Sequence, residues 1–224
     1  MMHNTDTRNR LLDAAECLFS RHGIEGASLR SVTAEAGANL AAIHYHFGSR
    51  AALIQAVFAR RLEPLNRERL RLLDDAEAET GDAPPSLEAI LEAFIAPALR
   101  LGQNPAHDGR NFMCLMGRLW AEQGEITRSI VEQFDDVFRR FSTALSRALP
   151  HLSRPELLWR FFFTLSSMVM PLVGADILTQ RTGGLCDPSD VEATLHRLVA
   201  FVAGGLRAPV PDGVGHLHPG VNTP

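Results

Sequence analysis

SLRSVTAEAGANLAAIHYHFGSRAAL, residues 28–53, decides the fold. Ser28 is a good N-cap, because its hydroxyl can accept from a backbone N–H of the first helical turn. The helix it opens is predicted over 29–36, with Leu29, Val32 and Ala36 at i, i+3 and i+7. Gly37 breaks it. Asn39 then caps a second short helix through about Phe47, and Gly48-Ser49 opens a longer one that runs to about Leu73. Two short helices joined by a glycine-bearing turn are a helix-turn-helix pattern.

Working outward, a preceding helix is predicted from about Asp6 to His22, with Leu11, Ala15, Leu18 and Phe19 on one face and Gly23 where a left-handed cap is wanted. No segment sustains the period-2 alternation of a strand, so the fold is read as all-α. An acidic, proline-punctuated link, Asp74 to Pro85, leads into a larger domain. Its helices are predicted near Ser86–Gly102, Arg110–Gln123, Glu125–Leu149, Ser153–Ile177 and Pro188–Leu206. Ser153-Arg-Pro-Glu156 reads as a capping box, and Asp187-Pro188 as a capping acid before an N1 proline. The Pro- and Gly-rich stretch from Ala208 cannot hold a helix and reads as a frayed tail. The expected division is a helix-turn-helix domain at 1–50, a helical regulatory and dimerisation domain at 51–207, and a disordered tail at 208–224.

The 224 residues are 46% hydrophobic and 21% charged, enough apolar mass for a real core. The net charge of −4 is unevenly spread: residues 1–73 hold 10 Arg against 7 acids, whereas 74–224 hold 12 against 19, and no lysine occurs. One end suits a polyanion and the other does not. Cys17, Cys114 and Cys186 lack ligand or disulfide spacing, and with no secretory start the expected compartment is the cytoplasm. The apolar stretch Leu157–Val173 is interrupted by Arg160 and closed by Asp176, and reads as too short for a membrane span. No nucleophile elbow, P-loop, dinucleotide fingerprint or metal triad occurs, so neither an enzyme nor a cofactor is expected. His44 and His46 point in different directions on their helix and cannot share a metal, and His216 and His218 have no further ligand nearby.

A helix that enters a major groove about 12 Å wide carries small and polar residues outward. Ile43 and Phe47 are expected to pack against Val32 and Ala36. That leaves Asn39, Leu40, Ala41, Ala42, Tyr45 and His46 toward the groove. The segments Thr7–Phe19 with Gly23, Val32–Gly37 and Ile43-His-Tyr-His-Phe47 followed by Gly-Ser-Arg50 together resemble the TetR family of transcriptional regulators. Thr33, Leu40 and Arg50 stand where that family usually has Ala, a polar residue and Lys. The resemblance implies DNA contacts at Ser28, Arg30, Asn39, Leu40, Ala41, Ala42, Tyr45, His46 and Arg50. Arg50 and Ser28, at helix N-termini, suit phosphates, and Tyr45 can donate its hydroxyl to one. Asn39 either caps its own helix or reads an adenine edge, and Leu40 can touch a thymine methyl. Arg60, Arg61, Arg67, Arg69 and Arg71 read as a solvated helix surface.

A short reading helix binds weakly alone, so a homodimer on a near-palindromic operator in double-stranded DNA is expected. The helices near 153–177 and 188–206 are the interface candidates, since Leu157 to Leu172 carry apolar residues round more than one face. The resemblance implies that these two helices pair with their copies. A small-molecule effector pocket is expected among Phe94, Met113, Met116, Trp120, Phe134, Phe138 and Phe162, with Arg118, Gln123, Asn111 or His107 as polar contacts; core packing is the competing reading for each. The helix Ser49–Leu73 is the expected transmitter between effector and operator. Two other readings stay open: a helical protein-interaction module, and a thiol-based redox-sensing regulator.

Overall fold

The computed structural model describes residues 2–102, 109–119 and 124–211. Among these, every regular element is helical: α1 (Met2–His22), α2 (Leu29–Glu35), α3 (Leu40–Phe47), α4 (Arg50–Thr80), α5 (Leu87–Gly102), α6 (Gly109–Leu119), α7 (Glu125–Val131), α8 (Asp135–Ala148), α9 (Arg154–Val173), α10 (Ala175–Arg181) and α11 (Val191–Arg207). One 3-10 turn, residues 132–134, joins α7 to α8.

Helices α1 to α3 and the start of α4 close round a small core. Leu11, Ala15 and Phe19 from α1 meet Val32, Ala36, Ile43, Leu53, Val57 and Phe58, all buried. Their i, i+4 and i+3 spacings put each set on one face of its helix. Full burial of an Ile or Phe side chain contributes about 2–3 kcal/mol, so these few contacts orient the short α3. The three caps form as expected. Ser28 Oγ accepts from Ser31 N at 3.1 Å, Asn39 Oδ1 from Ala42 N at 3.0 Å and Ser49 Oγ from Ala52 N at 3.1 Å. Gly37 takes φ +59° in the turn, a conformation that costs a residue with a Cβ about 1–2 kcal/mol.

The larger domain is built round α5, which packs against α4, α6, α8, α9 and α11. From Ala93 to Leu99 every residue of α5 is buried. Helix α1 also packs on α6, so the two parts of the chain touch through α1 as well as through α4.

Several boundaries differ from expectation. The acidic link is largely helix, because α4 continues to Thr80. Asp74 and Glu77 are held there by Arg140, and Asp75 by Arg71 at 2.6 Å, which turns a run of acids into a paired helix surface. Asp6 does not open α1; the helix starts earlier and Asp6 pairs with Arg10 one turn on, at 3.4 Å. The helix expected over 125–149 is interrupted at 132–134, and that over 153–177 stops at Gly174, where a Cβ would meet the Met170 carbonyl at 3.1 Å. The capping box is not made, since Ser153 gives no side-chain cap and Glu156 accepts instead from Arg160 at 2.7 Å. Asp187 accepts from Ser189 N in a local turn, and Asp190 caps α11 through Ala193 N at 3.0 Å.

The basic stripe on α4 is not uniformly solvated. Arg60 and Arg61 grip the buried Glu16, and Arg69 is itself buried. Finally, α9 is long and apolar enough to cross a membrane by length and composition, contrary to the length argument, yet it packs on α5, α6, α8 and α11 as part of this domain.

Candidate nucleic-acid interface

The reading helix α3 has one inward anchor and an outward face of mixed chemistry. Ile43 is fully buried, and Phe47 is half-buried against the core, while Leu40 and Tyr45 are 42% and 75% exposed. Ala41 is exposed, and Ala42 and His46 lie half-buried at the edge. The Tyr45 and His46 rings meet edge-on with centroids 5.0 Å apart. His44, one position from Tyr45, is also exposed and its Nδ1 lies 3.2 Å from the Gly48 carbonyl. Asn39 uses its Oδ1 as a cap, which accounts for the capping alternative and leaves its amide N–H groups outward.

Side chains that sequence reasoning missed fix this frame. Arg10 of α1 donates to the Ala36 carbonyl at 3.0 Å, holding the C-terminal end of α2. Arg8 stacks over the Phe47 ring at 5.4 Å, fastening the end of α3 to α1. Glu16, with a side chain 3% exposed, accepts from Arg60 at 2.5 Å and from Arg61 at 3.1 Å and so latches α1 to α4. Its place on the Leu12, Glu16, Phe19 face was the available signal, because an acid on an apolar stripe demands a buried partner.

Of the residues expected at DNA, Ser28 and Arg30 sit exposed at the start of α2. Arg50 is placed differently. Its guanidinium turns inward to the Ile24 carbonyl and to the Ala27 carbonyl at 3.4 Å, with Glu25 also at 3.4 Å, and so secures the loop between α1 and α2.

A family model described as "Bacterial regulatory proteins, tetR family" matches residues 11–57, and one described as "Tetracyclin repressor-like, C-terminal domain" matches residues 92–205. The chain belongs to the TetR family. Among curated TetR-like relatives, the HTH-type nicotine-responsive transcriptional repressor HdnoR of Paenarthrobacter nicotinovorans is 43% identical over 72 residues, 32% of this chain and 37% of that one. The chain spans between 28% and 45% of the lengths of the curated relatives it matches. The fold is shared with a TetR-family transcriptional regulator from Bordetella parapertussis, with a TM-score of 0.63 and 13% identity over 87% of this chain and 93% of that one. It is shared as well with the regulator FadR from Bacillus subtilis in complex with stearoyl-CoA, with a TM-score of 0.61 and 11% identity over 88% and 98% of the two chains.

In the TetR C-terminal domain the described members of the expected effector set take several settings. Phe94, Met113 and Met116 are buried in the core. Phe94 meets Phe141 and Phe161 edge-on at 5.0 and 5.1 Å, and Phe138 stacks on Phe161 at 5.4 Å. Phe134 and Asn111 are half-buried, and Arg118 and Phe162 face outward. Trp120, Gln123 and His107 lie outside the described residues. An open cleft of about 400 Å³ lies between α4 and α5, lined by Pro64, Leu65, Pro97 and Leu101 and by the charged Arg60, Arg61, Glu68 and Arg100. On the other side of the domain, Trp159, Phe163 and Met170 of α9 and Phe201 of α11 are exposed to 60, 57, 64 and 72%. An apolar stripe of this length on two adjacent helices is what a partner would cover.

Proposed function

We propose that this TetR-family regulator acts as a homodimer, paired through α9 and α11, that represses by placing α3 of each copy in successive major grooves of a near-palindromic operator. The observation that carries this reading is α3 itself: a two-turn helix anchored inward by Ile43, presenting Asn39, Leu40, Ala41 and Tyr45 outward. Two-fold pairing spaces such heads by one or more helical turns, roughly 34 to 36 Å each. Tyr45 and the α2 N-terminus at Ser28 and Arg30 meet phosphates, Leu40 and Asn39 face base edges, and Ala41 and Ala42 let the helix approach closely. Arg50 serves by holding the loop beside the reading head. The division at 1–50, 51–207 and 208–224 puts the boundary at the start of α4, which carries motion between the parts. A small-molecule effector bound in the larger domain re-aims the two heads and releases the operator, in the manner implied by the name of the nicotine-responsive relative. The protein is a cytoplasmic regulator rather than an enzyme.

Selection of binding sites from random duplexes, followed by fluorescence anisotropy, tests the reading. Tyr45→Ala is expected to weaken operator binding about tenfold or more with the sedimentation coefficient of the dimer unchanged. Failure of the wild-type chain to bind any duplex at low salt would refute it and favour a protein-interaction module.

A further inference from the structure

The core of the larger domain holds a buried cation with no anion. Arg69 of α4 is 2% exposed. Its Nε donates to the Phe94 carbonyl at 2.9 Å, its guanidinium lies 4.2 Å from the centre of the Phe94 ring, and Nη2 reaches only the Met168 sulfur at 3.9 Å, a weak acceptor. Among the described residues no carboxylate pairs with it. Arg160, 7% exposed in the same domain, shows the usual solution: a Glu156 carboxylate at 2.7 Å and the carbonyls of Gly205, Leu206 and Ala208 at 3.0, 3.0 and 2.7 Å.

The Phe94 carbonyl satisfies one N–H of Arg69 and leaves the charge unpaired. Burial pushes the guanidinium down to about 9, which still leaves it protonated at neutral pH, and an isolated buried charge is costly. One turn earlier on the same helix, Asn66 Nδ2 donates to the Gln133 carbonyl at 3.0 Å while its buried Oδ1 has no donor among the described residues. Residues three apart on a helix are neighbours. A cationic donor group over the Phe94 ring and an orphaned acceptor thus lie one helical turn apart on α4.

The α4–α5 cleft ends one turn from this pair. Leu65 and Pro97 in its lining lie one turn from Arg69 and Phe94 respectively, its volume is within the range of small-molecule sites, and Glu68 stands among the arginines of its rim.

We propose that the effector is a monocarboxylate with a compact apolar body, its carboxylate held by the Nη atoms of Arg69 and a hydroxyl or amine N–H on the same molecule donating to Asn66 Oδ1. This deepens, and rests on, the reading of an effector-released repressor. The bound anion compensates the buried, unpaired cation on α4, so it favours whichever setting of α4 opens the cleft by a further turn. Pro64 lies between Arg50 and Arg69 and leaves the Arg60 carbonyl without its helix donor, giving α4 a joint between anchor and reading head.

The test uses the dimer of the whole 224-residue chain with 2-naphthoate and 6-hydroxy-2-naphthoate, each compared with its uncharged primary amide, by thermal shift and titration calorimetry. The acids are expected to raise the melting temperature and to bind at least about tenfold more tightly than their amides, and Arg69→Met to lower acid affinity about 10- to 100-fold while operator binding persists. Equal binding of acid and amide, binding of neither acid, or undiminished acid binding by Arg69→Met overturns the proposal. If that variant does not fold, the comparison of acid with amide on the wild-type chain decides alone. Acid binding through Arg69 that leaves the operator complex intact upholds the site and refutes release, whereas failure to bind operator at all refutes the repressor reading independently.

Discussion

Glu16 forms a buried ionic latch between α1 and α4, and Glu16→Gln tests it. The carboxylate is held by Arg60 and Arg61, whose side chains are 23% and 16% exposed while its own is 3% exposed. Glutamine keeps the shape, removes the charge and turns an NH2 group toward one of two guanidinium donors. Breaking a buried ion pair from one side costs about 3–5 kcal/mol. Two features reduce that figure here: Arg60 keeps Asp13 at 2.6 Å, and both arginines regain some water. The expected loss is about 2–3 kcal/mol, read as a lower urea midpoint at unchanged slope and at one fixed protomer concentration, since dimer stability depends on concentration. Operator affinity is expected to fall as well, because α1 no longer holds α4 in one setting. A loss below about 0.5 kcal/mol would mean the pair behaves as a surface bridge and the latch reasoning is wrong. A double-mutant cycle with Arg61→Met isolates the shared term, expected at about 1 kcal/mol or more.

Gly37→Ala is expected to cost about 1–2 kcal/mol in the same assay. The φ of +59° carries the cost, because a Cβ there meets Arg10 Nη1 at an ordinary 3.5 Å; an unaffected midpoint would show that the turn relaxes freely. Phe163→Glu combined with Phe201→Glu is expected to give a helical monomer by sedimentation and circular dichroism, with operator affinity reduced at least about tenfold through loss of the second reading head; a dimer that persists would place the interface elsewhere. The Arg207 hydrogen bonds at 2.6 and 2.8 Å hold Glu88 below its ordinary carboxylate range. A lowered folded-state pKa adds stability above the ordinary value of 4.5 that is lost as pH falls through the lowered one. Glu88→Gln is therefore expected to flatten the acid limb of the stability curve by no more than about 0.5 kcal/mol, the partners being half-exposed. A steeper limb in the variant would reverse the sign.

Much of the reading head was legible because its determinants are local. Caps at Ser28, Asn39 and Ser49, glycines at 23 and 37, and the spacing of Val32 and Ile43 act within a turn or two of chain. The same locality made the end of α4 misleading, since it depends on a distant arginine that pairs with its acids. Asp74 and Glu77 look like a linker until Arg140, more than sixty residues away, is brought beside them.

Arginines make the limit plain. In the sequence Arg10, Arg50, Arg60, Arg69 and Arg160 are five equal cations. Their periodicity places them on helices but says nothing of what faces them. Only packing makes one the clamp on Ala36, one the loop fastener, one half of the Glu16 latch, one a charge buried without an anion and one a fully satisfied core residue. Helical pattern and capping chemistry thus determined the fold and the reading head, because they are short-range properties of the chain. The contacts between the two parts, and the burial of Arg69 without an anion, were decided by residues far apart in sequence, whose energies depend on burial that only the assembled structure sets.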